Sequence, residues 1–226
     1  LSPFRASPHC LPSSHRPAPH RCSAPRPSPP RQVENNPNIV SLTMPNLEDV
    51  GGDISVRYND MLASLTMNNL RDVDGYGSDL RVEANFNLAS LTMNNLENVD
   101  GSFLVYNNAN LASLTMNRLK RVDYDFDVYN NANLASLTMD YLEKVDESFV
   151  VGYNPNLVSL TMNRLERVGN DFVVRGNDNL ASLTMNKLYY VIGDIDVYTN
   201  ANLASLTMNN LENVDGSFLV YNNANL

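Results

Sequence analysis

The tetrapeptide Ser-Leu-Thr-Met begins at Ser41, Ser64, Ser90, Ser113, Ser136, Ser159, Ser182 and Ser205. Successive copies lie 23 residues apart, except at the second interval, which is 26. A fixed period of this length means that each unit contacts chiefly its neighbours, so a core exists only once several units are stacked. The three extra residues fit best at Tyr76, Gly77 and Ser78, as a bulge or loop in a single rung. Residues 87–111 and 202–226 are identical, the mark either of a recent duplication or of a sequence assembled from repetitive reads.

Within a unit some positions never change. Leu114, Met116, Leu119 and Val122 have the same residue type at the equivalent place in all eight copies, whereas the position of Phe126 exchanges only with Ile or Leu. Between them lie freely varying positions: Leu104 aligns with Ser55, Arg81, Asp127 and Val150, and Tyr106 with Arg57, Glu83 and Gly152. Fixed-apolar and variable residues that alternate, as in Phe103-Leu104-Val105-Tyr106 and Leu114-Thr115-Met116, have the period of a strand with one buried face. Strands are expected at about 53–57, 103–106 and 113–116 and at their equivalents. Two short strands and a turn-rich return leave little room for a helix. The chain is therefore read as an all-β repeat solenoid of about eight 23-residue rungs.

Two further invariant columns belong to that core and its corners. The methionines Met44, Met67, Met93, Met116, Met139, Met162, Met185 and Met208 fall on the inward side, where a flexible thioether fills irregular space; core packing is preferred over a soft-metal conduit. Asn59, Asn85, Asn108, Asn131, Asn154, Asn177, Asn200 and Asn223 are expected to form a corner ladder whose side chains satisfy backbone groups exposed by a tight turn.

Residues 1–32 differ in every respect from 33–226, the repeat domain. They hold nine of the twelve prolines, all three histidines, both cysteines, five arginines and no acid. With no period and few apolar residues they are expected to be disordered, as an organelle transit peptide, a linker, or translated non-coding sequence ahead of a fragment. Their irregularly spaced His and Cys make a poor metal site. Sixteen Lys and Arg less those five leave eleven, against twenty-five Asp and Glu, so the remainder carries a net charge of −14. A surface that acidic argues against nucleic acid. No apolar run reaches the length of a membrane span.

Leu-x-x-Leu-x-Met-x-x-Leu-x-x-Val resembles the leucine-rich-repeat frame, and the 23-residue period is similar to that of bacterial surface-protein repeats. Val-Asp-Gly-Ser-Phe-Leu-Val-Tyr-Asn-Asn-Ala-Asn-Leu, residues 99–111, is more similar to receptor L domains and related fungal cell-wall proteins. The resemblance covers about 33–226 and implies a leucine-rich-repeat-like solenoid or right-handed β-helix. It also implies an extracellular or surface-associated binding or structural role. The chain departs from those families in lacking flanking cysteines and in its unusually regular repetition.

Catalysis finds little material here. The repeat domain has no His or Cys, so Ser–His and Cys–His pairs are excluded within it, and no phosphate loop, zinc spacing or EF-hand pattern occurs. No cofactor is expected. Asp125/Asp127 and Asp194/Asp196 are paired carboxylates on single strands, read as solvated charge in preference to a glycosidase-like pair or a calcium site.

The candidate binding face is the outward Ser-x-Thr pair of each unit: Ser41, Thr43, Ser64, Thr66, Ser90, Thr92, Ser113, Thr115, Ser136, Thr138, Ser159, Thr161, Ser182, Thr184, Ser205 and Thr207. Other outward positions have drifted, and these have not. A flat, charge-free hydroxyl band is expected, spaced about 4.8 Å between rungs and about 6.7 Å along the strand. Such Thr-rich arrays resemble the ice-binding faces of β-solenoid antifreeze proteins. The alternative is a structural ladder of hydroxyls hydrogen-bonded between rungs. A secondary face carries Tyr106, Tyr129, Tyr198 and Tyr221, suited to stacking on sugars or anchoring a protein, with Gly152 and Arg175 as interruptions. Expected partners are a protein, a glycan or an ordered surface such as ice. With no distinct capping sequence at either end, end-to-end self-association is also expected.

Overall fold

The computed structural model describes residues 31–226. The expectations for the Pro- and Arg-rich leader, including its His and Cys residues, lie outside them, apart from Arg31 and Gln32, which open the first strand, Arg31–Glu34.

Strands pair parallel with their equivalents in the next unit, residue on residue, with one interruption between Ser136–Thr138 and Ser159–Thr161, so the chain is an all-β parallel solenoid of about eight turns. One sheet has nine four-residue strands, from Arg31–Glu34 through Phe103–Tyr106 and Phe126–Tyr129 to Phe218–Tyr221. A second face is made by the Ser-Leu-Thr strands, such as Ser113–Thr115. The sequence reading placed two strands in each turn; the structure has a third, of two residues, at Arg121–Val122 and its equivalents. Only one of its two residues points inward, so a period-2 pattern has no room to show itself. These short strands form a continuous eight-stranded sheet.

The core is a bundle of identical columns. Met67, Met93, Met116, Met139, Met162 and Met185 are fully buried, together with the Leu114, Leu119 and Val122 positions of the interior units. Phe103, Phe126, Phe149 and Phe172 stack ring on ring at 4.9–5.1 Å, which sets the rung spacing on the inner side of the long sheet. The long insertion is absorbed locally. Gly75 and Gly77 take positive φ, Ser78 N–H donates to the Gly75 carbonyl (2.9 Å), and Tyr76 is wholly exposed. Pairing resumes at once, with Leu80 opposite Ile54 and Phe103.

The asparagine column forms the corner after the long sheet. Asn59, Asn85, Asn108, Asn131, Asn154, Asn177 and Asn200 are fully buried. Each Oδ1 accepts the backbone N–H of the equivalent Asn one rung earlier, and each Nδ2 donates to a Val carbonyl, as Asn131 does to Val105 (3.0 Å). The residue before each of these asparagines lies in the left-handed region. That position is Asn at 107 and 130 and Gly at 176, but Tyr at 58 and 153, Ala at 84 and Thr at 199. Side chains other than Gly and Asn pay a steric penalty there, so the ladder's hydrogen bonds hold the conformation.

Candidate binding faces

In the Ser-Leu-Thr strands Leu65, Leu91, Leu114, Leu137, Leu160 and Leu183 point into the core. Ser and Thr therefore point outward, and the register sets Ser113 opposite Ser90 and Ser136, and Thr115 opposite Thr92 and Thr138. Like hydroxyls one rung apart, at about 4.8 Å, stand beyond the reach of a hydroxyl–hydroxyl hydrogen bond when they share a rotamer. The register stacks like hydroxyls on the outer face, where the Thr side chains of the interior units are half-covered.

An amide ladder runs before the hydroxyl strands, and a second follows them over the last three units. Before the strand, Asn133 Nδ2 donates to Asn110 Oδ1 and Asn110 Nδ2 to Asn87 Oδ1, both at 3.2 Å. After it, Asn209 and Asn186 donate in the same way to Asn186 and Asn163 at 3.1 Å. The face is thus a grid of hydroxyls and amides, with Asp140 as a charge on its border. It is not one unbroken sheet. Five strands, from Ser41–Thr43 to Ser136–Thr138, form one ladder, and Ser159–Thr161, Ser182–Thr184 and Ser205–Thr207 form another. At the break Val158 stands where the neighbouring units have Ala135 and Ala181. The Val158 N–H to Ala135 carbonyl bond is 3.4 Å, against 3.0 Å from Ala135 to Ala112 and 3.3 Å from Ala112 to Ala89 within the unbroken run. The outer amide ladder breaks at the same step, where Asn156 Nδ2 donates to the Ala132 carbonyl.

On the long sheet the tyrosines form two stacked pairs, Tyr106 with Tyr129 and Tyr198 with Tyr221, each with ring centroids 4.8 Å apart and planes within 4°. The gap between them is partly filled. The Arg175 stem lies across Gly152, where an added Cβ would come within 3.2 Å of Cγ, and its Nη1 donates to the Tyr198 hydroxyl (2.8 Å). Because each pair is stacked on itself, the tyrosines present mainly edges outward. Burial, and then the hydrogen bond with Glu83, raises the Tyr106 hydroxyl's pKa well above the usual range. The neighbouring outward column is also partly covered: Leu104 is only 9 % exposed although it faces away from the core.

The paired carboxylates are not simply solvated. Asp125 Oδ1 accepts the backbone N–H of Ser148 (3.0 Å), and Asp194 Oδ1 that of Ser217 (2.6 Å). Asp53, Asp79 and Asp171 do the same for Asp79, Ser102 and Asp194. The first member of each pair is therefore part of a second corner ladder, hidden in the sequence because Asp alternates there with Ser. The second members, Asp127 and Asp196, are partly covered on the sheet. Burial, with the Asp125 charge adding to it and Arg175 opposing, pushes the Asp127 carboxyl up to about 6. Among the described residues no three potential ligands converge on a metal position. On the short sheet Arg121 meets Asp100 (2.9 Å) and Asp123 (3.2 Å), and Lys144 meets Asp146 (2.6 Å), whereas Arg167 has no carboxylate partner among the described residues and its guanidinium lies over the Tyr190 ring.

Among the described residues no helix is long and apolar enough to cross a membrane. Compared with protein-family models, with characterised proteins and with solved structures, the chain matches none of them.

Proposed function

We propose that this chain is a non-enzymatic binding solenoid that engages an extended, uncharged, regular surface through its Ser-x-Thr face. The observation that carries this reading is the register: identical hydroxyls repeat on every rung of the outer face, alongside amide ladders. A surface of many weak, evenly spaced donors and acceptors suits a ligand with a matching lattice, since affinity then comes from simultaneous contacts. The absence of His and Cys from 33–226 and the corner role of Asp125 and Asp194 support a role without catalysis. The likeness of the repeat to L-domain and surface-protein sequences supports placement at or outside a cell surface.

Ice is the second reading, favoured by the two-dimensional spacing of Ser and Thr, about 6.7 Å along each strand and about 4.8 Å across it. The test separates the two. Wild type and Thr115→Tyr are assayed for thermal hysteresis and ice shaping, and for co-sedimentation with cellulose, chitin and β-glucan. Thr115 is outward and half-buried, one strand in from the end of the five-stranded run, so the variant keeps its fold and loses flatness across three rungs. Activity lost in the variant supports the face, and the assay that shows it names the ligand class. A folded wild type inactive in every assay removes the proposal.

A further inference from the structure

The corner beyond the asparagine ladder carries a feature that repeats on no other rung. Phe86, Ala109 and Ala132 occupy the same place in three successive units. Phe86 is 52 % exposed, and the next two rungs offer only methyl groups beside it. Inside the core, by contrast, Phe103 has Phe126 stacked on it one rung away. The missing side chains leave an open bay of about 350 Å³ in which Phe86 and Tyr58 form the apolar wall. Asn107 and Asn130 form its rim. Asn130 Nδ2 donates to Asn107 Oδ1, which leaves the Asn107 amide N–H groups and the Asn130 amide oxygen for another partner. Glu83 also borders the bay, with its Oε1 accepting from the Tyr58 hydroxyl at 3.4 Å.

We propose that this bay binds a pyranose ring of a neutral glycan. An exposed aromatic beside vacant space takes the C–H face of a sugar, and paired amides take its hydroxyls from the side, as donor and as acceptor. Two empty rungs span about 10 Å, the depth needed for one sugar ring and its substituents. No cation lines the bay, and Glu83 with the acidic surface around it disfavours an anionic ligand. Its positions at 58, 86, 107 and 130 lie off the Ser-x-Thr strands, so the site stands or falls independently of that face.

The full chain is titrated by calorimetry with cellohexaose, chitohexaose, mannohexaose and laminarihexaose, alongside Phe86→Ala, Ala109→Phe and Thr115→Tyr. At least one hexasaccharide is expected to bind. Phe86→Ala should weaken it roughly tenfold, the factor for losing one ring stack. Ala109→Phe should abolish it by filling the bay, with the β-sheet circular dichroism unchanged, whereas Thr115→Tyr should leave it intact. The proposal is overturned if no hexasaccharide binds the wild type. It is also overturned if Phe86→Ala and Ala109→Phe bind as wild type does, or if Thr115→Tyr alone removes binding, which would move the glycan to the other face.

Discussion

Asn131 Oδ1 accepts both the backbone N–H (3.1 Å) and the side-chain Nδ2–H (3.4 Å) of Asn108, its equivalent one rung earlier. Its own Nδ2 donates to the carbonyls of Val105 and Tyr129, at 3.0 and 3.2 Å. A single buried amide thus joins two rungs and closes its own turn. Repeated along the corner, this contact ties the stack together where no sheet hydrogen bond can.

Asn131→Ala would leave the buried Asn108 N–H without a partner, while the Val105 carbonyl keeps its place in the sheet ladder. An orphaned buried group costs about 1–3 kcal/mol, and a loss in that range is expected in urea unfolding. A midpoint within error of wild type would mean that water replaces the amide at this corner.

Thr199 has φ 56, a conformation that a β-branched residue adopts only under constraint. Equivalent positions use Asn at 107, 130 and 222. Thr199→Asn should therefore raise stability by about 1 kcal/mol, as relief of local strain with no change in contacts. Lower stability in this variant would show that the threonine side chain makes a compensating interaction.

Asp127 gives a pH dependence. Its pKa is raised from 3.8 to about 6 in the folded chain, chiefly by burial, then by Asp125, with Arg175 opposing. The folded state then holds its proton more tightly than the unfolded state, so stability falls as pH rises from about 4 to about 6. Asp127→Asn removes this penalty. It should match wild type below about pH 4 and exceed it by about 1–2 kcal/mol above pH 6, with solvent screening allowed for. A stability difference that stays constant with pH would place the titration elsewhere.

Much of the fold is legible in the repeat. An interval of 23 forces each Leu, Met, Val and Asn onto its own copy, and a buried column tolerates few replacements, so invariance marks the inside. The expected strands at 103–106 and 113–116 match Phe103–Tyr106 and Ser113–Thr115 for that reason. The asparagine ladder was readable on the same ground, because only a side chain with both donor and acceptor can serve two rungs at once.

What only the tertiary structure decided are features that depend on a neighbour's size or on backbone shape. The left-handed turn before each ladder asparagine carries no single residue type, since hydrogen bonds to Asn59 or Asn200 hold even Tyr58 and Thr199 in place. The second corner ladder is concealed because a backbone N–H is indifferent to whether Asp or Ser follows the carboxylate that accepts it, as at Ser148 and Asp194. The two-residue strand is too short for periodicity, and the Ser-Leu-Thr repeat carries no mark of where its sheet divides. Repetition along the chain determined which side chains are buried. Contacts 23 residues apart determined which outward groups stay free, because a side chain's exposure is set by whatever occupies the same place on the next rung.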